Sequence, residues 1–266
     1  MLNLRFKERE PPHGARTNVL PRNRRSSGNT TDLALLPAAE LERMEAAGAE
    51  VTECLRVLDK TGDNLVGEIL RGQGTFFEWN HYPEGDVFDR ETNAQYYYHA
   101  HPKDERPGEH GHFHTFLRVK GMPADMRPLE IPGFVPPKGD NEILSHLIAI
   151  SMDQAGYPIG LFTTNRWVTG ETWFRCDDVI RMVDRFAIDH ARPSWPVNRW
   201  ITAMLSLFRP QIADLLRRRD QSIANWRARH PDEDVYEERT LEVTSQLKIS
   251  VDQQIRTVRA ALGRPS

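Results

Sequence analysis

The chain has few cysteines. Cys54 and Cys176 are its only two, 122 positions apart, and they form neither a CxxC pair nor a disulfide framework. That excludes a cysteine-rich zinc module and a stapled secreted scaffold, and each thiol is expected as a small buried residue. No run approaches the roughly 18 apolar residues of a membrane span. The first residues, MLNLRFKEREPPHG, lack the apolar core of a secretory signal. An excess of either charge is lacking too: a net charge of -3 over 266 residues gives no general pull toward nucleic acid or anionic lipid. There is no GxGxxG, GxSxG or HExxH, and no internal repeat. A cytoplasmic protein with no membrane association is expected, and a nucleic-acid partner is not. The arginines 217–219, 227 and 229 read as a solvated helix face, because aromatics are not interleaved with them.

With 39% hydrophobic residues the chain can bury a sizeable core. Residues 1–31 carry seven Lys and Arg against Glu8 and Glu10 without periodic apolar positions, and are read as a disordered basic arm. The remainder, 32–266, is expected to be a single α+β domain. Residues 32–74 are helical, with one helix to about Lys60 and a short one around Asn64–Arg71. Residues 75–176 are β-rich, with strands at 75–82, 94–101, 111–120, 144–153, 157–164 and 171–175 separated by turn formers. Residues 177–262 return to helix, with a first helix marked by Val179, Ile180, Val183 and Phe186 and ending near His190, a restart at Pro210, and a last stripe of Val243, Leu247, Val251, Ile255, Val258 and Leu262 at steps of three and four. The expected architecture is a central antiparallel sheet or barrel of about six strands flanked by N-terminal and C-terminal helices. The five prolines within 121–142 mark a long irregular loop.

The informative excess is histidine. Ten in the chain would place about 0.6 in a window of 16, yet residues 99–114 hold five: His99, His101, His110, His112 and His114. Strand side chains alternate, so His99 and His101 share a face, as do His110, His112 and His114 where all three are in strand. A hairpin pairing His101 with His112 would set His99 opposite His114 and crowd four imidazoles onto one patch, where opposite Cβ atoms lie roughly 4.5–5.5 Å apart. If that face is buried, each unsatisfied ring costs on the order of 1–3 kcal/mol, against a typical total stability of about 5–15 kcal/mol. A metal or a dense hydrogen-bond network must compensate. Crowding also favours the neutral, ligating imidazole.

His99, His101, His112 and His114 are therefore the predicted ligands of a divalent transition metal, with iron, copper, nickel and zinc all suited to imidazole. Glu109 and Glu105 are auxiliary ligands or proton carriers, and Arg118 is positioned to hold a substrate carboxylate. Tyr97 shares the face of His99; His81 and His146 lie on other predicted strands and can approach. The expected function is a metal-binding protein, as an enzyme a non-haem oxidoreductase acting on a small molecule, or with zinc a hydrolase. The alternatives are a metal-free β-barrel module binding a small ligand or partner, and acid–base catalysis by a histidine with Glu109.

Tyr96-Tyr-Tyr-His-Ala-His-Pro102 followed by Arg106-Pro-Gly-Glu-His-Gly-His-Phe-His-Thr-Phe-Leu-Arg118 resembles a bacterial domain of unknown function over most of residues 35–260, a resemblance that implies no activity. Locally, His99-Ala-His101 with Glu105 and Gly111 resembles the first metal motif of the cupin barrels, and Pro158-Ile-Gly160 the second. Thr163 stands where the second motif has its histidine and Asn93 where the first has a glycine, so a cupin ligand set would be incomplete without His112 or His114.

Overall fold

The computed structural model describes residues 32–139 and 141–265; the basic arm read at 1–31 lies outside them. Helix α1 (Ala38–Asp59) buries Leu41, Met44, Val51, Cys54 and Leu58 on one side, and α2 (Leu65–Leu70) starts where the Asn64 side chain accepts from Gly67 N. Six strands follow one another: β1 (Tyr82–Phe88), β2 (Ala94–His99), β3 (Gly111–Arg118), β4 (Leu144–Met152), β5 (Pro158–Thr164) and β6 (Val243–Lys248). Each pairs antiparallel with the next, in the spatial order β1-β2-β3-β4-β5-β6. Between β5 and β6 come α3 (Arg166–Thr169), α4 (Cys176–Val183), α5 (Trp195–Leu207) and α6 (Arg209–Arg229, with Pro210 in its first turn); α7 (Val251–Ala261) closes the chain. The α+β class with a central antiparallel sheet is as expected.

Several sequence expectations need correction. The sheet is open, with β1 and β6 as its edges, so there is no barrel. A layer of helices packs on one face, and closure would require pairing those two edges. Residues 171–175 are not a strand, and the first strand begins at Tyr82, where 75–82 had been expected. The sixth strand is instead Val243–Lys248, which the three-and-four spacing assigned to the last helix. Steps of four also satisfy a period of two, and Val243 and Leu247 are such a pair. The α4 helix stops at Val183, short of the expected His190.

The helical face carries the main core. Tyr96, Tyr98, Phe113, Leu117, Ile148, Ile150 and Leu161 pack with Val197, Trp200 and Met204 of α5 and with α1. The fully buried Tyr96 hydroxyl is satisfied by Asn198 Oδ1 at 2.6 Å. A small second core of Ile131, Trp173, Ile223, Val235 and Tyr236 ties the proline-rich loop down, with Leu129 N donating to Trp173 O. Among the described residues no helix is long and apolar enough to cross a membrane.

Candidate metal centre

Alternation turns Tyr97 and His99 of β2, and His112, His114 and Phe116 of β3, to the face opposite the helices. The register is His99↔His112 and Tyr97↔His114, two residues away from the expected pairing of His101 with His112. His101 lies past the end of β2 and begins a long loop to His110 that holds Gly108 at φ 87°. A slip of two keeps every side chain on its face, so the cluster forms although the pairing differs.

His99, His112 and His114 are each 1% exposed, and one ligand atom from each lies within 4.8 Å of the others. His99 Nε2 is 2.7 Å from His112 Nε2. The far side of two rings is fixed by a neighbour. Glu109 Oε1 accepts from His112 Nδ1 at 2.6 Å, which leaves Nε2 as the lone-pair nitrogen. His114 Nδ1 meets His146 Nε2 at 3.0 Å, and His114 Nε2 is buried with no hydrogen-bond partner. Metal-binding histidines are commonly oriented by such outer partners. Burial, reinforced by neighbouring imidazoles and Arg106, holds all three rings well below the usual histidine pKa, so they are neutral and able to ligate. Burial also pushes the Glu109 carboxyl up, against the pull of Arg106.

The other expected ligand, His101, sits at the rim. Its ring centroid is 5.0 Å from that of His99 and 5.3 Å from that of His112, and its Nδ1 pairs with Glu105 at 3.2 Å under the edge of Trp79. Burial lowers its pKa to about 3. It is not one of the converging three.

Arg118 also lies apart. Its Nε donates to Gln95 Oε1 and its Nη1 to Asn141 O. Gln95 in turn donates to Asp86, whose other oxygen meets His81 Nδ1, and His81 stacks on Tyr97 at 3.6 Å. This polar wall borders a narrow pocket with Tyr97, Phe116, Leu144 and Thr169. His110, counted with the strand histidines, instead bonds Tyr98 Oη at 2.6 Å. No local pattern marks Arg106 or Glu242, which are 136 positions apart and ion-paired beside the triad.

The chain belongs to the family described as Domain of unknown function (DUF6969), which it matches over residues 45–249. The DUF6969 match runs from within α1 to just past β6, so it takes in the whole sheet and the imidazole cluster. No curated protein and no solved structure matches the chain.

Next to the cluster, the buried Glu171 accepts from His146 N at 2.7 Å. Burial raises its pKa to about 7, outweighing the nearby Arg219 guanidinium. Folding therefore favours the protonated acid. Stability is greatest below the unfolded-state pKa, falls as pH rises toward 7, and stays at the lower level above it. Glu171→Gln keeps the acceptor and removes the charge. It is expected to stabilise the fold at pH 8 by about 3 kcal/mol, at 1.36 kcal/mol per pKa unit, and to change little at pH 4. Urea denaturation of both proteins at the two pH values checks this.

Proposed function

We propose that this chain is a metalloprotein that holds one divalent transition metal on His99, His112 and His114 and uses it to transform a small molecule. The observation that carries the reading is the convergence of three buried, neutral imidazoles, two of them fixed from behind by Glu109 and His146. A buried polar cluster without compensation is costly, and His114 Nε2 is a buried nitrogen for which a metal would be a partner.

Nitrogen-only ligation suits iron, copper, nickel or zinc. Three protein ligands leave coordination positions for substrate and co-substrate, the requirement of a non-haem oxidoreductase; zinc would supply Lewis acidity for hydrolysis instead. The chain's own contributions are distinct. The sheet sets the spacing of the rings, Glu109 and His146 hold their tautomers, and the segments carrying Trp79, His81 and His101 restrict water.

A metal-free ligand-binding module is the second reading, favoured by the 2.7 Å contact between His99 and His112, which satisfies two rings through one shared proton. Metal analysis of protein purified without an affinity tag separates the two. One equivalent of metal per chain, with oxygen uptake after anaerobic Fe(II) loading, is the expected result. Metal-free protein that takes up none on reconstitution would refute the proposal.

A further inference from the structure

We infer that this centre takes a small carboxylate-bearing anion, one oxygen on the metal and the other on the guanidinium of Arg106. The inference rests on the metal reading above and adds the class of ligand and the residue that recognises it.

The first argument is charge. Among the described residues the ligand group contains no carboxylate and no thiolate. Three neutral imidazoles leave the full double charge of a divalent ion in a site whose ligands are almost completely buried. Glu109, behind His112, opposes part of it, while Glu242 offsets the charge of Arg106, so a positive excess remains on the metal. A buried charge needs a counter-charge, and an incoming anion supplies one. A neutral or cationic ligand would leave the excess unrelieved.

The second argument is placement. Arg106 comes from the loop between β2 and β3, and its guanidinium lies 4.7 Å over the ring of Phe162. That ring is 5.0 Å from His112 and 6.1 Å from His114, so Phe162 links the cation to the triad. Arg106 acts electrostatically on all three triad histidines. Glu242 takes Nη2, while Nη1 stays 3.9 Å from Glu109, beyond hydrogen-bond reach. The guanidinium is thus pinned in position by an acid from a distant segment, with donor capacity left on its other nitrogens. A planar guanidinium is the side chain best matched to a carboxylate. A purely structural role for Arg106 would predict no link between this residue and ligand binding at the metal.

The test uses the full chain loaded with Co(II), whose visible spectrum reports on its ligands, titrated with acetate. Saturable spectral change is expected in the wild type, with none from the neutral isostere acetamide. Arg106→Gln should keep one cobalt per chain and bind acetate at least tenfold more weakly. Arg106→Lys, which retains the charge without the fork, should fall between and serves if the glutamine variant does not fold. Equal acetate affinity in wild type and both folded Arg106 variants, or an equal response to acetamide, would overturn the inference. So would bound cobalt that ignores acetate, which leaves the metal centre standing. Absence of cobalt binding would remove the centre itself.

Discussion

Replacing His112 with alanine is expected to weaken metal binding by two to three orders of magnitude. A four-ligand zinc site in a small domain is worth about 10–16 kcal/mol, or about 2.5–4 kcal/mol per ligand, and each 1.4 kcal/mol is tenfold in affinity. His112 is the central ring of the three: its Nε2 faces His99, its Nδ1 is held by Glu109, and its neighbour two positions on is His114. Metal at about 1,000 times its dissociation constant stabilises the native state by about 4 kcal/mol. In a domain of this size that is a rise in Tm of about 8–16 °C. At the same metal concentration His112→Ala should retain only about 0.4–1.4 kcal/mol of that stabilisation, a tenth to a third of the rise. Calorimetric scans with and without metal, and with chelator, measure it. An unchanged metal-dependent rise in the variant would rule out the triad as the site.

Gly111→Ala should damage the scaffold on which the triad is built. Gly111 opens β3 beside the end of β2, and a Cβ there would stand 2.4 Å from His99 O, 2.5 Å from Tyr98 Oη and 2.7 Å from Tyr98 Cζ. His99 O is backbone and cannot yield without parting the strands beside the His99↔His112 pair. Tyr98 is fully buried against Phe113. Overpacking of this kind costs about 1–3 kcal/mol and sometimes more, and here the upper end is expected, together with a loss of metal stoichiometry. Gly160→Ala in β5 is the control, since its Cβ would meet neighbours only at 3.5 Å; its effect should stay within about 0.5 kcal/mol. Comparable losses in both variants would show that the close approach at Gly111 is not special.

The α1 helix was legible from its apolar positions among Ala and Glu, the middle four strands from aromatic and β-branched segments bounded by turn formers, and the helical restart from Pro210. The segment 243–262 was misread because Val243 and Leu247 fit a strand and a helix equally well. Nothing local distinguishes them; the open edge of β5 does, by pairing with Val243–Lys248. The stretch 75–81 is aromatic like a strand, yet it runs as irregular chain, with Trp79 at φ 69° and its ring on His101. The predicted role of Arg118 followed from parity alone, and Phe116 intervenes between it and His114 on that face.

By itself the sequence determined that imidazoles would gather on one face of a hairpin. Side-chain alternation is a property of the extended backbone, and a slip of two residues leaves it intact. Which rings converge was decided by tertiary structure. The point at which β2 ends, the close passage at Gly111 and the burial of that face by distant segments select His99, His112 and His114 and leave His101 at the rim. Those segments also bring Glu242 to Arg106 and His146 to His114, contacts between residues far apart in the chain that no local pattern encodes.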